Sequence, residues 1–309
     1  TDITDFTIEI LDVYEQLKIY NPKIQVKIDY KTPDKLIDRV LRLIRGGTTS
    51  MVICCMPGLI KSLMGCYGVT YEEAKNCDIS GCNEIHIRAD EACMISSLPN
   101  MAKAISYVFT NGYDEVTDKT IGLNTGEVEE LETFEDFYEA FLKQFKHVLD
   151  EAISMARSYE HYACEVSPAL MLSATMERSL KSAKDAYTYG VKYPNSAILL
   201  CGFATAVDSV LAVKELVYDR KEVTLAEMKK ALLANWEGYD SLRIKALNCH
   251  KYGNNDDRAD ELAVWLLKTF MTKVKSHYTY RDSVPTTSIL TITSNVVYGK
   301  KTGNTPDGR

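Results

Sequence analysis

The sequence predicts a mixed α/β fold, and three observations carry that reading. Short apolar or alternating runs at residues 24–30, 51–55 and 196–201 have the length and pattern of strands. Between them lie amphipathic stretches of helical period, the longest opening at Thr133 and Asp256. No repeat period, low-complexity segment or internal linker interrupts the alternation. Strands separated by long helices are the pattern of an α/β domain.

Each element has a local reason. Residues 6–19 place Phe6, Ile10, Leu11, Tyr14 and Leu17 in a largely helical pattern that Asn21-Pro22 stops. Ile24, Val26, Ile28 and Tyr30 alternate with polar residues, as a half-buried strand does. Thr32-Pro33-Asp34 is expected to be a cap followed by proline at the first helical position. That helix carries Leu36, Ile37, Val40, Leu43 and Ile44 to a Gly46-Gly47 stop. Met51 to Cys55 is a buried strand by composition. Thr70 and Glu73 have capping-box spacing, and so do Thr224 and Glu227. The helix from Thr133 lays Phe134, Phe137, Phe141, Phe145, Val148 and Ala152 along one side as core. A helix is expected over 204–218, another over 256–275, and a β-rich run over 288–297 with turn chemistry after it.

Composition narrows the functional class. A chain of 309 residues suits two domains or one barrel of ~250 residues or more. With 46% hydrophobic and 26% charged residues and eight prolines, disordered, collagen-like and disulfide-stapled classes are excluded. A net charge of −7 argues against a general nucleic-acid binder. No stretch reaches the ~18 apolar residues of a membrane span, and the start lacks a signal peptide's order. Nine cysteines without regular spacing fit neither a zinc pattern nor a secreted framework. A protein of the cytoplasm with reduced thiols is the expectation.

Most candidate chemistry reduces to structure. Asn254-Asn255-Asp256-Asp257 resembles a calcium loop, but the required glycine and closing glutamate fall on Ala259 and Trp265. Helix capping explains these acids better. Cys249-His250 would need the fold to align two neighbours that ordinarily point apart. Gly46-Gly47 and Gly299 to Gly303 lack phosphate-loop spacing. Cys54-Cys55 lies in an apolar run, where packing outweighs redox chemistry.

One short constellation stands apart: Ser80-Gly81-Cys82-Asn83-Glu84, just after the capped helix. Glycine permits a tight turn or close approach to a ligand. In extended backbone Cys82 and Glu84 face the same side, so a thiol and a carboxylate can share a cavity. By composition alone, a buried cysteine and a solvated glutamate would be the favoured reading.

The pattern resembles the glycyl radical enzymes, the superfamily of pyruvate formate-lyase and its eliminase and decarboxylase relatives. Tyr67 to Ala74 followed by Ser80 to Glu84 is similar to that family's approach to its active-site cysteine loop. Tyr252 to Ala263 and Thr291 to Arg309 resemble further family segments, the last being close to pyruvate formate-lyase itself. The resemblance implies a ten-stranded α/β barrel made of two five-stranded halves around a cysteine loop. Residues 1–309 would then be one partial barrel domain, much of the second half with its surrounding helices. Cys82 would become a thiyl radical and Glu84 an acid/base beside the substrate. The chain itself would bind no cofactor or metal. A protein glycyl radical outside it, installed by a radical-SAM activase, would serve the cysteine.

Two departures qualify what is implied. Pyruvate formate-lyase uses two adjacent cysteines, whereas Gly81 and Asn83 flank Cys82. Cys-x-Glu resembles the eliminases and arylacetate decarboxylases, though Asn83 and Ile85-His86 differ from the usual neighbours. The Arg-Val-x-Gly radical motif is missing from the sequence, so 309 residues are expected to be a piece lacking the glycyl radical domain. The leading expectation is a glycyl radical lyase that cleaves a C–O, C–N or C–S bond of a small polar substrate. A formate acetyltransferase, or an inactive fragment or scaffold needing a partner chain, are the alternatives. Expected partners are the activase, a small-molecule substrate, the rest of the barrel with the radical domain, and a second copy in a homodimer, with neither nucleic acid nor membrane. Thr291, Thr293 and Asn295 would face one side of a strand and line the substrate cavity, or simply complete a barrel strand.

Overall fold

The computed structural model describes residues 3–48, 50–80, 84–88, 90–289 and 295–309. The chain opens with α1 (Asp5–Leu17), β1 (Ile24–Ile28), α2 (Asp34–Arg45) and β2 (Met51–Cys55). β1 and β2 pair in parallel from Ile24–Met51 to Ile28–Cys55, as a βαβ crossover requires. Leu11, Val26, Leu36, Val40, Leu43 and Met51 form a core for this unit. α3 (Met56–Tyr67) and α4 (Tyr71–Lys75) lead into the antiparallel strands β3 (Cys77–Ser80) and β4 (Glu84–Ile87).

β5 (Met94–Ser97) and α5 (Met101–Phe109) follow, then the short ribbon β6 (Tyr113–Asp114) and β7 (Lys119–Thr120). The long helix α6 (Phe134–Val166) precedes α7 (Leu170–Ser173), α8 (Glu177–Ser182) and β8 (Ser196–Leu200). α9 (Phe203–Val213) continues as a π-helical turn at Lys214–Asp219, before α10 (Leu225–Leu233), α11 (Asp240–Leu247), α12 (Asp257–Lys275), β9 (Thr286–Ile289) and α13 (Asn295–Thr302). β8 lies between β5 and β9 and pairs in parallel with both. All five residues of β8 are buried, which explains their unbroken apolar run.

The main core joins α5, α6, β8, α9, α10 and α12. Phe137, Phe141 and Phe145 sit at its centre with no exposed surface, as the 3–4 residue spacing on α6 implies. The two capping boxes read from the sequence are built, Thr70 with Glu73 and Thr224 with Glu227, and Thr133 with Asp136 adds another that the sequence reading did not name. Gly202 caps α9 at φ 68°, and a Cβ there would come within 2.5 Å of Asn100 Oδ1.

Three expectations need correction. Pro33, not Thr32, occupies the cap of α2, and Thr32 instead accepts a hydrogen bond from the Asp29 amide through its hydroxyl. The run 288–297 is not one strand, because β9 spans Thr286–Ile289 and Asn295 already begins α13. Pairing with β8 starts two residues earlier than alternation suggested. The helix expected over 204–218 loosens into a π-helical turn from Lys214. The sequence reading also passed over α5, where seven of nine residues are buried and no amphipathic stripe remains to be seen.

A buried arginine ties the sheet to the segment before β9. Arg281, 2% exposed, donates to the carbonyl of Ala92 at 3.1 Å, to Ser196 Oγ at 3.1 Å and to the carbonyl of Asn195. Burial pushes its pKa down, and the nearby buried Glu160 offsets part of that effect. Glu160 in turn accepts from Ser96 Oγ at 2.5 Å and from the Tyr280 amide at 3.2 Å. Removing one partner of such a network leaves a charge or carbonyls unpaired in the interior. Arg281→Ala is therefore expected to cost about 3–5 kcal/mol in a denaturant titration. Phe141→Ala should cost about 3–5 kcal/mol through the cavity it leaves.

Candidate functional site

The site is assembled around the β3–β4 pair. Ser80 stands opposite Glu84 in the register, so the notable Cys82 belongs to residues 81–83, which lie outside the described residues. Two polar contacts fix the base of the pair. Lys27 on β1 donates to the Cys77 carbonyl at 2.9 Å and to Asp78 Oδ1 at 2.6 Å. Arg88 also bonds Asp78, and Lys27 followed by Arg88 holds that carboxyl below its ordinary range. The approach helix α4 is tied to the segment before β8, because Glu73 receives Lys192 and the Tyr193 hydroxyl. Lys192 and the Thr70 cap hold the Glu73 carboxyl down at about 2.

β4 then presents its residues to a cavity of ≈ 350 Å³. Glu84, Ile85 and His86 line it on one side, with Ser62, Leu63 and Tyr67 of α3. Ala197 and Leu199 of β8, residues 284–289 around β9, and Met271 and Lys275 of α12 supply the remaining walls. Glu91 and Cys93 complete the lining next to His86. Glu84 and His86 are two apart on an extended strand and so share a face.

The groups behind this face are held rather than solvated. Glu91 is 5% exposed and accepts from the Ile87 amide and from Asn195 Nδ2, each at 2.7 Å. His86 Nδ1 stands 3.7 Å from Glu91 Oε1. Cys93 Sγ makes a weak 3.8 Å contact to the Met94 carbonyl. Burial first, then the Glu91 and Glu84 carboxylates, push the Cys93 thiol up to about 12 despite opposition from Arg281. A neutral thiol is thus the resting form at ordinary pH. Three donor types of different chemistry therefore face one cavity: carboxylate, imidazole and thiol.

The other sequence candidates fall elsewhere. Thr291 and Thr293 lie outside the described residues. Asn295 heads α13, is exposed, and accepts from the Val296 amide at 2.9 Å, so it does not continue a strand face. The polar residues of that region that do reach the cavity are Thr286, Thr287 and Ser288. Cys249 and His250 diverge, the thiol toward the Lys245 carbonyl and the imidazole toward Asp256 at 2.5 Å. Asp256 caps α12 by accepting from the Arg258 amide, the capping role its sequence suggested. Cys54 is buried, Cys55 is exposed, and neither lines the cavity.

Sequence reasoning missed Ser62, Tyr67, His86, Glu91 and Cys93. Alternation from Glu84 to His86 was a usable signal for one of them. The pairing of Glu91 with Asn195 carries none, because it spans more than a hundred residues.

Comparison with known proteins identifies the family of the chain. Residues 1–299 match the family described as Pyruvate formate lyase-like. The chain is 30% identical over 301 residues to trans-4-hydroxy-L-proline dehydratase of Clostridioides difficile, covering 97% of this chain and 38% of that protein. It is 27% identical over 308 residues to (2S)-3-sulfopropanediol dehydratase of Klebsiella oxytoca, covering 99% and 37%. The crystal structure of the Clostridioides difficile hydroxyproline dehydratase with trans-4-hydroxy-L-proline bound superposes with a TM-score of 0.91 at 29% identity, over 99% of this chain and 39% of that one. The glycerol-bound B12-independent glycerol dehydratase of Clostridium butyricum gives 0.88 at 25% identity, over 100% and 39%. The chain thus spans little more than a third of the length of these relatives, and its α/β architecture is part of the glycyl-radical-enzyme barrel. With this match running from residue 1 to residue 299, the chain belongs to the pyruvate formate lyase-like family of glycyl radical enzymes.

Proposed function

We propose that the polypeptide containing this chain is a glycyl radical lyase acting on a small polar substrate. The observation that carries the reading is Glu84: it heads β4, two positions after Cys82 in sequence, and lines the ≈ 350 Å³ cavity. A glycyl radical installed by a radical-SAM activase supplies the oxidising equivalent that converts the Cys82 thiol to a thiyl radical. No Arg-Val-x-Gly motif occurs in residues 1–309, so that glycine is assigned to another part of the polypeptide or to a partner chain.

Cys82 takes a hydrogen atom from a substrate carbon, leaving a carbon radical beside the bond to be broken. Loss of a hydroxyl, amine or sulfur group from the neighbouring carbon needs a proton moved in step. Glu84 is the group assigned to that transfer. Thr286, Thr287 and Ser288 line the same cavity and are assigned to orient polar groups of the substrate. The same role is proposed for Thr291 and Thr293, which lie outside the described residues, and not for the exposed Asn295. Apolar walls from Leu63, Leu199 and Met271 help exclude water from a reactive radical. The named relatives that are dehydratases of hydroxyproline, sulfopropanediol and glycerol support elimination over acetyl transfer. So does the position of Cys54-Cys55, the one adjacent cysteine pair, away from the cavity.

The rest of the barrel is the proposed partner surface. α6 buries its aromatic N-terminal half but exposes Met155, Tyr159, Tyr162 and Val166 along one stripe of its C-terminal half, with Leu170 and Met171 beyond. A contiguous apolar face of this kind favours a covering element over a finished surface. A second copy in a homodimer is a further proposed partner. Among the described residues no helix is long and apolar enough to cross a membrane.

Two experiments test the reading. In the full-length polypeptide, activated anaerobically and offered trans-4-hydroxy-L-proline, sulfopropanediol and glycerol, Glu84→Gln should lower turnover by ~10²–10⁴-fold. The glycyl radical signal in electron paramagnetic resonance should stay at its wild-type yield. Undiminished turnover in that variant would remove Glu84 from the chemistry. Residues 1–309 expressed alone should bind a hydrophobic dye and self-associate, and Tyr162→Lys with Val166→Lys should reduce both. A monodisperse, dye-silent chain would count against a covered apolar face.

A further inference from the structure

We propose that His86, Glu91 and Cys93 form a binding site for a divalent cation of the zinc class on the wall of the cavity. Their donor atoms, an imidazole nitrogen, a carboxylate oxygen and a sulfur, lie within 4.8 Å of one another. This mixed nitrogen, oxygen and sulfur set suits a borderline-soft ion and disfavours magnesium or calcium, which take oxygen.

The geometry supports the assignment in three ways. First, the 3.7 Å between His86 Nδ1 and Glu91 Oε1 exceeds a hydrogen bond but is close to the edge of a metal tetrahedron. Ligands at zinc distances subtend edges of roughly 3.4 Å, so the widest separation must close by about an ångström. Cys93 and His86 are only partly buried and can rotate to do so. Second, Glu91 is already oriented, one oxygen receiving the Ile87 amide and the other Asn195 Nδ2. Hydrogen-bonded carboxylates of this kind are the usual outer support of a metal ligand. Each oxygen keeps a lone pair for an ion. Third, the charges match. A carboxylate and a cysteine sulfur supply the negative donors that a divalent cation takes up, with the neutral imidazole beside them.

All three residues line the cavity, so a fourth coordination position opens toward it. Water or an oxygen of a small polar molecule would complete the shell there, where the ion would polarise it. The assignment does not depend on the reaction proposed above, and its test needs no turnover.

The test uses the full-length polypeptide, stripped with chelator and titrated anaerobically with Co²⁺. Thiolate ligation should give a sulfur-to-cobalt charge-transfer band in the near ultraviolet, and Zn²⁺ should displace it. Cys93→Ser should abolish the band, while Cys54→Ser and Cys249→Ser keep it. His86→Gln, at a partly exposed position, should fold normally and bind more weakly. Asn195→Ala should weaken Co²⁺ by ~10–100-fold, the usual effect of losing an outer-shell partner. Absence of the band in the wild-type protein, or its persistence in Cys93→Ser, would overturn the assignment. So would unchanged affinity in His86→Gln, which would leave His86 and Glu91 as an ordinary polar pair.

Discussion

The buried charge of Arg281 is the constraint on which the site depends. A guanidinium in the interior must be met by acceptors, since an unpaired one costs several kcal/mol. Here the acceptors are backbone carbonyls of Ala92 and Asn195 with the Ser196 hydroxyl, flanking the starts of β5 and β8. One side chain thereby fixes the relative height of two strands more than a hundred residues apart. The Glu160 carboxylate joins the same region by holding Ser96 and the Tyr280 amide, which places the Arg281 segment itself.

The cavity inherits its shape from that anchoring. With Asn195 held by its carbonyl, its side-chain amide is free to reach Glu91, and Glu91 receives the last amide of β4. The path from Arg281 to β4 is therefore three polar contacts long, and Glu84 sits at the other end of the same short strand. Lys27 and Asp78 brace the pair from the β1 side. A carboxylate in the proton-moving role proposed for Glu84 gains from such a frame, because proton transfer depends on placement before it depends on pKa.

Much of the fold was legible because its signals are local. The capping boxes at Thr70 and Thr224, the helix start at Thr133, the phenylalanine stripe of α6 and the apolar run of β8 each lie within a few turns of chain. Local patterns failed where pairing decided the outcome. β9 begins at Thr286 because β8 offers partners there, and Asn295 starts a helix although its neighbourhood is rich in β-branched residues. α5 escaped notice because a helix buried on nearly every side has no periodic stripe.

The site divides along the same line. Sequence by itself determined the Cys82-Asn83-Glu84 motif, the helix leading to it and the family that the motif signals, because each is a pattern carried within a few residues of chain. Tertiary structure alone decided that His86, Glu91 and Cys93 meet in the cavity that Glu84 lines, that Thr286 to Ser288 line it too, and that Arg281 is the buried anchor. These contacts join segments separated by tens to hundreds of residues. Their geometry arises from hydrogen bonds that buried polar groups must make with whatever the fold brings near, and a linear pattern carries no record of that choice.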